Sequence, residues 1–169
     1  DLVEAVDPRD EYVAEAVKLA SGDAAARADL RIVLTAMHGV GAPLTSRVLE
    51  EAGFTHVSLV AAQAEPDPDF PTVPFPNPEE AGALDMAIEQ ARAEDADLII
   101  AVAPDADRCA LAVPDPAAEA GWRPLSGDQI GCLLGEFLAS RGIQGSLANS
   151  IVSSRLLARI AHAHGLAHH

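Results

Sequence analysis

The chain has 169 residues and a formal net charge of −15, from 26 acidic and 11 basic side chains, a surface that repels nucleic acid and anionic membranes. Hydrophobic residues make up 49%, ample for a core, while aromatics at 4% leave little for stacking bases. No apolar run reaches the roughly 18 residues that a membrane span requires.

The chain starts Asp1-Leu2-Val3-Glu4-Ala5-Val6-Asp7, acidic where a signal peptide would be basic. The expected compartment is therefore the cytoplasm. Helical spacing runs from Asp10 to Ser21, with Tyr12, Val13, Ala16, Val17 and Leu19 apolar and Gly22 as the stop. Asp29 to Thr35 reads as a β-branched strand entering Ala36-Met37-His38-Gly39-Val40-Gly41-Ala42-Pro43. Pro43 suits a first helical turn, and Leu44 to Ala52 carries the helix before Gly53. Thr55 to Ala61 is a second strand, so strand, helix and strand form a βαβ unit with a parallel pair.

Six prolines between Glu65 and Glu80 forbid a helix or a central strand there. A linker would share that composition, but Phe70 and Phe75 give the segment something to bury, so an ordered excursion is expected. Ala83 to Ala93 reads as a helix and Asp97 to Val102 as a strand. Cys109 to Val113 returns as another strand, bending the chain around the intervening acidic turn. Cys109 and Cys132 lack CxxC spacing and are expected as buried, reduced thiols.

Loop composition at Pro114-Asp115-Pro116 marks a boundary, giving domains at 1–115 and 116–169. Beyond it, Ser126 or Asp128 can cap a helix from Asp128 to Ser140 that Gly142 ends. Ser146 to Val152 is a strand, and Ser153 to His164 a helix. His162, His164, His168 and His169 crowd the C-terminus, where a solvated chain end explains them better than a metal site.

Function concentrates in Ala103-Pro104-Asp105-Ala106-Asp107-Arg108, which follows the apolar strand. Residues two apart on an extended segment share a face, so Asp105 and Asp107 are expected to converge on one hard cation. Arg108 can then grip a phosphoryl group with its bidentate fork. An exposed acidic turn neutralised by Arg108 has the same composition, and the flanking motifs decide between the two. His38-Gly39-Val40-Gly41 lies on a strand-to-helix turn, where backbone N–H groups can receive an anion. A GxG of this length is more often a packing turn.

Together these segments resemble the α-D-phosphohexomutases, the phosphoglucomutase and phosphomannomutase family. The family's Asp-x-Asp-x-Asp-Arg metal loop places its last two aspartates on Asp105 and Asp107 and its arginine on Arg108. Its first aspartate falls on Ala103, a departure that removes one oxygen ligand. Thr35, His38, Gly39 and Gly41 match the Thr-x-x-His-Gly-x-Gly segment opening the family's second domain. Phe75-Pro76-Asn77-Pro78-Glu79-Glu80 and Leu125-Ser126-Gly127-Asp128-Gln129-Ile130-Gly131 resemble further family elements, in register along nearly the whole chain.

The resemblance implies an α/β fold with a mixed sheet flanked by helices, the second mutase domain plus the beginning of the third. It implies an isomerase of carbohydrate metabolism, a phosphoprotein that moves a phosphoryl group between the 1- and 6-positions of a hexose through a phosphoserine. It further implies Mg²⁺ on Asp105 and Asp107, Arg108 as catalytic, His38 against substrate or a neighbouring loop, and hexose phosphate and hexose bisphosphate as ligands. No Ser-His-Asn, Gly-Glu-x-Ser-Gly or Arg-x-Ser-Gly-Thr segment occurs, so the chain is expected to be an internal mutase fragment, inactive without the remaining mutase domains. The competing expectations are a non-catalytic binding module, a phosphopentomutase, and another Mg²⁺-dependent phosphotransferase with a nucleophilic aspartate.

Overall fold

A computed structural model describes residues 4–169; residues 1–3 of the expected 1–115 domain lie outside the described residues. The chain divides into two compact units, Asp1–Pro124 and Leu125–His169.

The first unit carries helices α1 (Arg9–Val17), α2 (Ala24–Asp29), α3 (Ala42–Glu51) and α4 (Asp85–Ala93). Its strands are β1 (Arg31–Thr35), β2 (His56–Leu59), β3 (Leu98–Val102), β4 (Cys109–Pro114) and β5 (Trp122–Leu125). Helix α2 escapes the sequence pattern because it buries no residue; the Asp23 carboxylate caps it by accepting from the Ala25 N–H at 2.9 Å.

The strands form one sheet in the order β2-β1-β3-β4-β5. β1 runs parallel to both β2 and β3, and β4 is antiparallel to β3, so the mixed sheet and the βαβ unit stand as the sequence indicates. Ile32, Val33 and Leu34 are all buried, as expected of a parallel strand covered on both faces. One face presents the row Val33, Ile99 and Ala112, which packs with Ala87, Ile88 and Ala91 of α4 and with Trp122. On the opposite face Ala42 of α3 packs with Ala36, Val102 and Leu59. The parallel pair of β1 and β3 is fastened at its start: Asp97 accepts from the Arg31 N–H at 2.9 Å and from the Arg31 guanidinium at 3.4 Å, and that guanidinium also pairs with Asp95 at 3.0 Å. The bonds from the Arg31 N–H and then from its guanidinium hold the Asp97 carboxyl below the ordinary carboxylate range.

Several expectations shift once tertiary packing acts. The first unit continues to Pro124, beyond the boundary expected at 115/116, because Trp122 enters its core and β5 its sheet. The proline-rich excursion is ordered, yet Val73 with Phe70 in support packs against Met37 and Ala83, while Phe75 stays 62% exposed. Cys109, expected to be buried, is exposed on the outer end of β4, and only Cys132 is enclosed.

The second unit pairs α5 (Gly127–Ser140) with α6 (Leu156–Ala163). Ser126 caps α5 in a capping box: its hydroxyl accepts from the Gln129 N–H, and Gln129 reaches back to the Ser126 N–H. Gly135 lets the helices approach, since a Cβ there would overlap Leu157. Burial raises the Cys132 thiol above its ordinary value, with Asp128 adding in the same direction. The strand expected over 146–152 shrinks to β6 (Ser146–Leu147), parallel to β7 (Ala167–His168). The C-terminal histidines are all exposed, as expected of a solvated chain end, and two of them have surface partners: His164 lies 3.0 Å from Glu136, and His168 lies 2.6 Å from Asn149.

Candidate functional site

The sheet defines where a ligand belongs. β1 leads through α3 to β2 on one side, whereas β3 lies on the other side of β1 with α4 on the opposite face. Strand order therefore reverses between β1 and β3, and open α/β sheets bind ligands beyond the carboxyl ends of strands at such a reversal. Two loops leave the sheet there, residues 36–41 after β1 and residues 103–108 after β3.

These loops are fitted to each other. The Val40 N–H donates to the Pro104 carbonyl at 2.8 Å. Gly39 lies so close to Pro104 that any Cβ would overlap its backbone, and a Cβ on Gly41 would meet Ala106 and Val102 at 3.0 Å. The absent side chains thus have a packing reason beside any role toward an anion. Three non-glycine residues adopt left-handed backbone here: Met37 at φ 51°, His38 at φ 61° and Ala106 at φ 60°. Each costs on the order of 1 kcal/mol, and such strain persists where the surroundings fix it.

A buried hydrogen-bond chain braces the first loop. The Thr35 hydroxyl accepts from the Met37 N–H at 3.0 Å and donates to the Gln63 side-chain oxygen at 2.6 Å. The Gln63 amide donates to the Thr72 hydroxyl at 2.8 Å, and His38 Nε2 lies 2.8 Å from that same hydroxyl. His38 is buried and engages the proline-rich loop through Thr72. Gln63 and Thr72 were not legible as partners, because neither belongs to a motif.

The Asp-Arg loop departs from the extended geometry that its sequence spacing suggests. It is a turn closed by the Ala106 N–H donating to the Ala103 carbonyl at 2.7 Å and the Ala103 N–H donating to the Arg108 carbonyl at 2.9 Å. With Ala106 left-handed, the alternation of a strand no longer aims Asp105 and Asp107. Asp105 is exposed and lines a 420 Å³ groove with Leu44, Val48, Ile100 and Cys109. Asp107 Oδ1 accepts from Arg108 Nε at 3.2 Å, and Arg108 Nη1 donates to Asn77 Oδ1, also at 3.2 Å. The loop's two side-chain oxygen donors are thus Asp105 and Asp107, since Ala103 is fully buried and carries none. Among the described residues no group of three or more His, Cys, Asp or Glu side chains is gathered to hold a metal. The donor set suits Mg²⁺ in its two-carboxylate mode, in which water and phosphate oxygens complete the shell. No helix among the described residues is long and apolar enough to cross a membrane.

The fold and the loops at its switch point define a doubly wound α/β domain built to present a polar turn. Residues 10–117 match the family model described as phosphoglucomutase/phosphomannomutase, alpha/beta/alpha domain II, and the chain belongs to that family. It is 50% identical over 154 residues to a probable phosphomannomutase of Haemophilus influenzae, covering 90% of this chain and 31% of the relative. A phosphoglucomutase of Staphylococcus haemolyticus is 40% identical over 167 residues, 97% of this chain and 29% of its own. A probable phosphoribomutase of Schizosaccharomyces pombe is 46% identical over 110 residues, 64% of this chain and 18% of its own. The crystal structure of a phosphoglucomutase/phosphomannomutase family protein from Burkholderia thailandensis superposes with a TM-score of 0.78 at 25% identity, over 98% of this chain and 33% of that one. The chain spans about a third or less of the length of these relatives.

Proposed function

We propose that this chain supplies the metal and phosphate-gripping loop of a phosphohexomutase, comprising its second domain and the beginning of its third. The mutase interconverts a hexose 1-phosphate and 6-phosphate. The observation that carries the reading is the position of Asp105, Asp107 and Arg108 at the switch point between β1 and β3, locked there by the loop bearing Gly39.

In the proposed reaction a sugar hydroxyl oxygen bonds to the phosphorus of a phosphoserine held elsewhere in the mutase. The P–O bond to serine breaks, the proton of the sugar hydroxyl leaves the attacking oxygen, and the serine oxygen takes up a proton to depart as the free hydroxyl. The reverse transfer to the other hydroxyl of a hexose bisphosphate restores the phosphoserine. Such chemistry is mostly positioning and charge neutralisation. Mg²⁺ on Asp105 and Asp107 would supply a hard positive charge beside the phosphoryl oxygens. Arg108 binds those oxygens through its Nη groups, and Asp107 orients it through Nε. His38 acts on the site through Thr72, fixing the turn that holds Pro104. The chain by itself, without a phosphoserine, gives no turnover.

The test is mutase activity of the protein with its remaining domains, supplied with glucose 1-phosphate or mannose 1-phosphate, Mg²⁺ and catalytic hexose bisphosphate. Turnover, falling about 100-fold or more in Arg108→Ala, supports the reading. Activity that appears only in Ala103→Asp identifies a mutase whose metal loop is disabled. Silence in both variants favours a non-catalytic binding module. A second reading, a pentose phosphate as substrate, is favoured by the likeness to the probable phosphoribomutase, and ribose 1-phosphate in the same assay tests it.

A further inference from the structure

We infer that Asn77 is a positioning residue for Arg108, and that the Pro76-Asn77-Pro78 loop thereby belongs to the phosphate-handling apparatus; the inference rests on the mutase reading of Arg108. The two residues are 31 positions apart, yet Arg108 Nη1 donates to Asn77 Oδ1 at 3.2 Å. The same oxygen accepts from the Glu79 N–H at 3.3 Å, closing a turn of the Asn-Pro-Glu segment. Asn77 Nδ2 points to Glu80 Oε1 at 3.5 Å, and the Glu80 N–H donates to the Asn77 carbonyl at 3.0 Å. Prolines on both sides restrict the backbone, and Pro78 is itself buried. The acceptor that Arg108 meets is therefore also held by bonds within its own loop.

The chemistry of the acceptor matters as much as its place. A guanidinium offers five N–H donors in a planar fork. Asp107 takes Nε and Asn77 takes one hydrogen of Nη1, which leaves both Nη2 hydrogens and the second Nη1 hydrogen for an anion. A neutral amide holds the fork without cancelling its charge. A carboxylate at position 77 would hold it equally well and compete with phosphate for it. Asn77 thus orients the cation without adding a second carboxylate to the one that Asp107 already brings to it.

The experiment uses this chain, ¹⁵N-labelled, with inorganic phosphate as probe in the presence of Mg²⁺. Slowed rotation of the guanidinium is read from separately resolved Nη–H resonances of Arg108, assigned by their loss in Arg108→Lys. Asn77→Ala is expected to merge those resonances and to weaken phosphate binding about fivefold, as expected of one lost hydrogen bond. Asn77→Asp keeps both acceptor contacts, so the resonances stay resolved while phosphate weakens about tenfold through charge competition. A purely structural Asn77 predicts instead that Asp restores phosphate binding in full, and that result overturns the inference. Unchanged Arg108 resonances in Asn77→Ala overturn it too. If the native chain shows resolved resonances that phosphate does not perturb, the mutase reading of Arg108 fails, while the response of those resonances to Asn77→Ala still decides the tether.

Discussion

The two units of this chain close their apolar surfaces to very different degrees. In the first, helices α3 and α4 cover opposite faces of the five-stranded sheet, and Val33, Leu34, Ile99, Ala101 and Ala112 are fully buried. In the second, Cys132 and Ala139 of α5 and Leu157 and Ala161 of α6 are buried, but Leu133, Leu134, Phe137 and Leu138 are each more than two-fifths exposed. Ile151 and Val152, on the loop before α6, are almost wholly in solvent. Burial supplies about 25 cal/mol per Å² of apolar surface, and the strained loops lie in the unit that buries more of it. The left-handed Met37, His38 and Ala106 all belong to that first unit.

The chain's single tryptophan, Trp122, lies in the first unit's core and so reports on that unit. The buried Cys132 reports on the second once the exposed Cys109 is removed by Cys109→Ser. The largest effect is expected from Gly39→Ala, whose new methyl must displace the Pro104 backbone. It should destabilise the first unit by about 3 kcal/mol, read as an earlier urea midpoint of Trp122 fluorescence. Gln63→Leu comes next, at about 2 kcal/mol in the same measurement, because it removes the acceptor of the buried Thr35 hydroxyl and one of the two partners of the Thr72 hydroxyl.

Gly135→Ala sharpens the comparison from the other side. The added methyl meets the end of the Leu157 side chain, which can turn aside, so the loss should be about 1 kcal/mol. It should appear as faster Cys132 labelling with the Trp122 midpoint unmoved. A Trp122 midpoint that shifts in step would mean the units unfold together, and the comparison would break.

The smallest effect is electrostatic. Asp97 is held below its ordinary value, first by the Arg31 N–H and then by the Arg31 guanidinium. Its contribution is therefore present above the unfolded value of about 4 and lost as pH falls through the lower folded value. Asp97→Asn should flatten that acid limb in Trp122-monitored stability and change little else, since the pair is well exposed to solvent.

Much of the architecture was legible because its signals are local. The run Ile32-Val33-Leu34, the βαβ spacing, Pro43 at the start of α3 and the Ser126 cap of α5 each declare themselves within a few residues. The strand expected over 146–152 was not held. Its apolar Ile151 and Val152 find nothing to pack on, and pairing survives only where β7 lies alongside. Phe75 misled for a similar reason: an aromatic can be buried only where a surface receives it, and Val73 takes that place.

By itself the sequence determined the family, the order of the strands and helices apart from α2, β5 and β7, and the identity of Asp105, Asp107 and Arg108 as the residues that carry charge to a strand end. These follow from residue type, period and spacing, which need no knowledge of neighbours. Only the tertiary structure decided which loops meet. It set Gly39 against Pro104, turned the Asp-Ala-Asp segment through a left-handed Ala106, and brought Asn77 to Arg108. The physical reason is sheet order. Placing β3 beside β1 brings together loops far apart in sequence, and that adjacency is decided by burial over the whole sheet rather than by any local signal.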